Sequence, residues 1–511
     1  MPDIQWPGPK TSFPLQFPGA ERIRAWRRLW DTTRIDVTTP SVDLTDFAYT
    51  PNAAQTRRAW ELSNASTLRR LANSGPITTG GQAITDCITA DIATISSDLL
   101  FGDGFQLDFG AASPTPRMGE LLDQTVPVLV ESAEECAALG GVYFRVLWDA
   151  EMDDRPQLML LQPDMTIPHW WGQKLIGAIS IQTLSRVDGD KEGTVWRLVS
   201  VFGTSEGDGW TAMRLAKGSA EELGAYKPLD SHPKTAALKP NDSDGLTHMV
   251  EEGTGLPLVY IPNLRPSREP GNPMGRSDMD SAEVWLPMLG DAWTGWWRNI
   301  RAARDRMFIP EDLLSSTGRV SAQQSLRTRY FDDDTEAFNL ANTDPADGMG
   351  MEVVSFAIRS EQYYQTVKTL LLRIAMSAGY APQVVDVEGD MTAPASGTAL
   401  RQRDMRSIRT VTKKRRYWTT GLRQLITKLA ETDQRVYGQT HGDMTDMTVR
   451  WPEIGRPDAN SLAQTGALLA NARIASIDTI VDLLHPDWSA EDRLREVRRI
   501  EAESDLTPTF P

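Results

Sequence analysis

The chain has 511 residues and a mass of 56.7 kDa, a length that suggests about three domains, fewer if one is elongated. Hydrophobic residues are 40% and charged residues 24%, so a core can form and wholesale disorder is excluded. There are 53 Lys+Arg against 69 Asp+Glu, a net charge of −16, which excludes a generally basic nucleic-acid binder.

Residues 1–50 are rich in Pro, Thr and Asp and read as an extended arm, with one basic amphipathic piece at Ala20–Trp30. The first residues place Pro and Trp where a signal peptide has a basic patch and an apolar run, so synthesis in a cytoplasm is expected. Helical spacing is predicted over Gln55–Leu71, Ile84–Leu100 and Met118–Leu139. The period then changes to two. Val142–Trp148, Gln157–Leu161 and Leu175–Thr183 read as strands. Thr194–Val201 and Trp210–Leu215 read as a hairpin around Gly203–Gly209, and Leu258–Ile261 as a last strand after a polar, turn-rich 218–250.

Past a Pro/Gly-rich linker, Ser277 with Asp280 predicts a capped helix from about Asp278 to Arg304. Trp285, Leu289, Ala292, Trp293, Trp296, Ile300 and Ala303 form its stripe, and Pro287 marks a kink or a late start. Residues 306–357 break into short extended pieces, Met307–Pro310 and Glu352–Phe356 among them, with four Lys/Arg against nine acids. A helix over Ser360–Ala378 carries Tyr364, Val367, Leu371 and Ile374, with Gly379 as its stop and Pro382 beyond. The loop Ala381–Ser396 holds Asp386, Glu388 and Asp390 and no base. A long helix runs from near Gly397 to about Val436, with ten Lys/Arg against one acid over 398–430. A strand at Met447–Trp451 and short helices over 456–511 complete the chain; Ser489 with Asp492 starts the last of these.

Chemical motifs are few. Cys87 and Cys136 form no CxxC, the five His are scattered and no HExxH occurs, so no metal site and no cofactor are expected. Gly203-Thr204-Ser205-Glu206-Gly207 matches a nucleophile elbow, but a strand rather than a helix follows, which favours a hairpin turn. No GxxxxGK[ST] loop exists, so ATP hydrolysis is not expected. Asp332-Asp333-Asp334 could meet Mg²⁺, yet consecutive carboxylates cannot share one ion on a regular element, and a solvated run is preferred. Trp293, Trp296 and Trp297 could stack on sugars or bases but have packing spacing; Trp297 lies off the stripe, as in a helix covered on several sides. The basic run Arg401–Arg416 could touch phosphate through Arg401, Arg403, Arg406, Arg409, Lys413 and Lys414. Pairing with acids of the same or a neighbouring subunit is the preferred reading, given the acid surplus.

The order of segments resembles the portal proteins of tailed double-stranded DNA bacteriophages, of the SPP1-like and actinobacteriophage type. The segments are LLFGDGFQL (Leu99–Leu107), LGGVYFRVLWD (Leu139–Asp149), PLVYIPN (Pro257–Asn263), GRSDMDSAEVWLPMLGDAW (Gly275–Trp293), RMFIPEDLL (Arg306–Leu314), AIRSEQYYQTVKTLLLRIAMSAGYAP (Ala357–Pro382) and SGTALRQRD (Ser396–Asp404). The resemblance spans about Ile84 to Ile500 and rests on order and spacing.

It implies an α+β fold: mostly helical, with a β-rich wing part and a small clip. The implied parts are an N-terminal arm (1–54), a wing (55–276), a first stem helix (277–305), a clip (306–357) and a second stem helix (358–380). A tunnel loop (381–397), a wing helix with return strand (398–455) and a crown (456–511) follow. It also implies a homo-oligomeric ring, usually a dodecamer, at one capsid vertex of the virion, through which double-stranded DNA passes in packaging and ejection. The implied partners are the terminase large subunit, a head–tail adaptor and the major capsid protein, with no membrane and no catalysis. Trp285, Leu289, Trp293, Trp296, Ile300, Tyr364, Val367 and Leu371 would form the stem interface, and Asp386, Glu388 and Asp390 would face the DNA. An acidic loop suits sliding, because neutralised phosphates hold DNA tightly at low salt. The competing readings are a glycoside hydrolase with a Trp-lined cleft and paired carboxylates, or another capsid or tail structural protein.

Overall fold

The computed structural model describes residues 5–31, 88–109, 115–150, 153–242, 244–303, 306–310, 337–340, 352–354, 358–385, 397–442, 444, 447–452, 459–472, 474–485 and 490–505. The expected helix Gln55–Leu71 lies outside them, as do Asp332–Asp334, Asp386, Glu388, Asp390 and Ser489.

The N-terminal segment is not a free arm. Phe13 N donates to Glu221 O at 2.7 Å and Leu223 N to Thr11 O at 2.9 Å, so the chain is strapped to a sheet edge. Arg197 lies 3.9 Å from the centre of the Phe13 ring and Arg214 4.4 Å from that of Trp6. Leu15 is fully buried, and helix α1 (Ala20–Asp31) buries Ile23 and Trp26. Apolar residues spaced among the prolines outweigh the extended, polar composition.

Helix α2 (Ile88–Phe101) packs on α3 (Pro116–Leu139), which starts at Thr115, whose hydroxyl accepts from Met118 N. It stops at Gly140, with φ +88°. A Cβ there would stand 2.9 Å from the Arg276 backbone, so both the conformation and the space require glycine. Strand β1 (Gln106–Asp108) lies between these helices in sequence. Strands β2 (Gly141–Leu147) and β3 (Gln157–Leu161) follow the period-two reading.

The β-rich part is an antiparallel sheet in the order β4 (Thr166–Trp171), β5 (Lys174–Leu184), β6 (Val195–Ser205), β7 (Asp208–Gly218), β8 (Ala225–Lys227). Strand β9 (His248–Thr254) shares the free side of β7 with β8, so the turn-rich 218–250 also supplies strands. Strand β10 (Val259–Pro262) joins β2 and β3 in a second sheet, ordered β10-β2-β3.

A 3₁₀ turn (Asp278–Ser281) precedes α4 (Leu286–Ala302). Strands β11 (Arg306–Pro310), β12 (Ala337–Leu340) and β13 (Glu352–Val354) form a small sheet with β11 in the middle, parallel to β12 and antiparallel to β13. Helix α5 (Ser360–Ala378) returns beside α4. The 41-residue α6 (Gly397–Tyr437) crosses the body, and β14 (Thr448–Arg450) pairs with β1. Three short helices close the chain: α7 (Ala459–Asn471), α8 (Ile477–Leu484) and α9 (Ala490–Asp505).

The central core forms where α6 meets the β10-β2-β3 sheet. Val411, Trp418, Leu422, Leu425 and Leu429 recur at helical steps and are all buried. Trp418 meets Phe101 edge-on at 5.0 Å. An aromatic of this size buries roughly 150–250 Å², a gross gain of about 4–6 kcal/mol. Gly421 allows the helix close to β10: a Cβ there would come 2.4 Å from the Ile261 side chain.

Candidate functional site

Helices α4 and α5 form a pair leading from the body to the small β11 sheet. The stripe read from the sequence largely serves the contact within this pair. Leu289 and Val367 are buried, while Trp285, Trp293, Trp296 and Leu371 are half-buried in the same cluster. The Trp293 and Trp296 rings stack at 5.4 Å and 6°, and Trp296 lies over Tyr363 at 6.4 Å and 6°. Gly295 makes room for this: a Cβ would lie 3.2 Å from the Tyr363 ring. Helical spacing in the sequence points to Tyr364 rather than Tyr363, yet Tyr364 is half-buried outside that cluster and Tyr363 makes the stack.

The helix start differs from expectation. Ser277 accepts from Met279 N and caps the 3₁₀ turn, not α4. Asp280 is no capping-box partner; its carboxylate pairs with Arg22 and with Arg268. Pro287 sits in the first turn of α4, where no intrahelical donor is lost, so it marks the late start. On and beside the pair Val284, Met288, Trp297, Ile300 and Ile358 remain exposed, Val284 at 64% and Trp297 at 51%. Ile300 is thus separate from the buried seam.

A polar knot fastens this pair to the body. Lys414 Nζ donates to Asp278 Oδ2 at 2.6 Å, Ser96 Oγ at 2.6 Å and Tyr380 OH at 3.0 Å, using all three of its protons. Tyr380 OH donates to Asp278 Oδ2 at 2.7 Å, and Asn263 Nδ2 to Asp278 Oδ1 at 2.8 Å. Lys414 and Asp278 are each 1% exposed. Burial, reinforced by the Asp278 charge, pushes the Tyr380 hydroxyl well above its ordinary pKa. The knot joins α2, the β10 exit, the 3₁₀ turn, the end of α5 and α6.

Lys414 therefore leaves the set of candidate phosphate or inter-subunit contacts, because the ion pair with Asp278 holds it inside. Arg415 is also buried, donating to Pro452 O with its guanidinium 5.1 Å from the Trp451 ring centre. Arg406, Arg409 and Lys413 are exposed; the side chains of Arg401 and Arg403 lie outside the described residues. Ala381, expected to open the acidic loop, is buried and donates to Ser407 Oγ, and Pro382–Val385 form a 3₁₀ turn.

Enzyme-like arrangements resolve into structural ones. Ser205 is paired with Asp208 across a hairpin whose turn is Glu206-Gly207, so Gly203–Gly207 is no nucleophile elbow. Asp433, His441 and Thr115 lie in hydrogen-bonding sequence at 2.8 and 3.3 Å. Yet Thr115 caps α3 and Asp433 is paired with Arg117, which ties the exit of α6 to α3. A cavity of about 1530 Å³ lies between the β4–β5 hairpin and α6 and is lined by Trp170, Trp171, Tyr260 and Tyr417. Glu431 is its one carboxylate among the described residues, which therefore supply no acid pair of the kind a glycosidase uses.

The family model for phage portal proteins of the SPP1 Gp6-like kind matches residues 90–506, most of the chain. The chain belongs to the phage portal protein family. This is a structural family, and the helices with antiparallel sheets seen here agree with the α+β class expected of it. The comparison with curated proteins gives no match. Among the described residues no helix is long and apolar enough to cross a membrane.

Proposed function

We propose that this portal protein assembles into a ring, a dodecamer, at one vertex of the capsid and forms the passage for double-stranded DNA in packaging and ejection. The observation that carries this reading is the family match over residues 90–506. It is supported by the apolar residues exposed on several faces of α4 and beside the pair, Val284, Met288, Trp297, Ile300 and Ile358, which a lone protomer leaves in water. On this reading α4 and α5 are the stem, and the β11-β12-β13 sheet belongs to a clip that docks the terminase large subunit and later the head–tail adaptor. The wing, 55–276 with α6 and its return strand β14, would lie against the major capsid protein, with the N-terminal arm strapped to it, and α7–α9 would form the crown. Asp386, Glu388 and Asp390 would line the passage and keep phosphates from binding.

The test is genetic and structural together. Phage made without this chain should give heads that hold no DNA, and supplying the chain in trans should restore filled heads. Filled heads formed in its absence would end the proposal.

A further inference from the structure

A recess of about 620 Å³ lies between α6, the end of α5 and the segment from β10 to the 3₁₀ turn. Five cations line it: Arg265, Arg276, Arg406, Arg409 and Lys413. The lining holds one acid, Asp278, and its charge is already taken by Lys414 from beneath. Arg276, Arg406, Arg409 and Lys413 form no ion pair among the described residues, and the buried Nε of Arg265 has no hydrogen-bond partner there. Ser281 and Thr410 also line the recess, with the Thr410 hydroxyl donating to Gly379 O at 2.7 Å. Two distant stretches of sequence bring these cations together: Arg406, Arg409 and Lys413 share one exposed face of α6, and Arg265 and Arg276 come from the segment after β10. In a chain of net charge −16, such a concentration of positive charge without ion pairs sets up a local positive potential that attracts carboxylates.

We propose that this recess receives an acidic segment of a second copy of this chain and is a charged lock between neighbouring protomers. The proposal rests on the ring reading above. Charge complementarity selects the occupant: each copy carries 69 acids against 53 bases, so a neighbouring copy is a ready source of carboxylates. Shape argues against duplex DNA, whose phosphates lie on a convex cylinder and reach poorly into a concave pocket between helices. Carboxylates on a protein segment can enter it and take the bidentate geometry that arginine offers.

The test uses the full-length chain in two isotopic forms, mixed during assembly, with a zero-length carboxyl–amine cross-linker. Lys413 should join to an Asp- or Glu-containing peptide of the other isotope. Joining only to peptides of its own isotope would overturn the proposal, because the acid would then come from the same protomer. In parallel, Arg406→Glu with Arg409→Glu and Lys413→Glu should lower the salt concentration at which rings fall into protomers at least several-fold, with unchanged circular dichroism. The matching Gln variant should fall between the two, which separates charge from folding. Rings of unchanged salt tolerance in the Glu variant would refute the lock while leaving the ring reading intact; absence of rings in the unmodified chain would refute the ring reading itself. Unchanged ring stability with altered duplex binding would assign the recess to phosphate and reject the proposal.

Discussion

Replacing Lys414 with Met should be among the most damaging single changes in the molecule. Lys414 and Asp278 are both 1% exposed and 2.6 Å apart. The substitution keeps most of the side-chain volume but leaves the Asp278 carboxylate buried, with only Tyr380 and Asn263 to donate to it. Removing one partner of a buried pair costs about 3–5 kcal/mol, chiefly because the other charge stays out of water. Asp278→Asn in the same chain removes that charge, so the double variant should recover a large part of the loss, with a coupling of about 2 kcal/mol. Urea unfolding followed by tryptophan fluorescence gives all four corners of the cycle. A Lys414→Met variant within about 0.5 kcal/mol of the parent, or a double variant no better than the single, would refute the reasoning.

Tyr143 provides a pH test. It is fully buried, its hydroxyl has no partner among the described residues, and burial holds its pKa well above the ordinary value. The folded state thus keeps a proton that the unfolded state loses above about pH 10, so this contribution is intact below that pH and lost above it. Tyr143→Phe should be neutral or stabilising at pH 8 and should fall less steeply between about pH 9 and 11 in denaturation series; a steeper fall would contradict this. Met288→Asp with Trp297→Asp changes exposed positions, so protomer unfolding should shift by roughly 0.5 kcal/mol or less while assembly is lost in sedimentation. Asp386→Lys with Glu388→Lys and Asp390→Lys should slow packaging more at low salt than at high salt. Equal DNA per head at all salt concentrations would remove these residues from the passage.

The parts of the fold legible in the sequence are those where local signals agree with tertiary ones. Helix α5 ends where Gly379 takes φ +97°, with Pro382 beyond, and both were readable. The length of α6 followed from an unbroken helical pattern, and β2 and β3 from period two. Where two signals compete, the tertiary one decides. Ser277 is a good cap, but it caps a 3₁₀ turn because Asp278 and Asp280 are drawn into ion pairs with Lys414 and Arg22. Strand β4 escaped notice because Pro168 and His169 sit within it; a register shift beside His169 accommodates this edge strand. Lys414 looks like its basic neighbours in sequence, and only the distant Asp278, Ser96 and Tyr380 distinguish it. The recess escaped for the same reason: Arg265 and Arg276 lie more than a hundred residues from Arg406.

The central claim is a ring of identical protomers around an open passage, and direct imaging tests it most simply. The purified full-length chain, at micromolar concentration and moderate ionic strength, should appear in negative stain as a ring with a central hole, twelve-fold in end view. Its mass by light scattering should be a multiple of the 56.7 kDa protomer. A stable monodisperse monomer of 56.7 kDa under these conditions, with no rings on the grid, would contradict it.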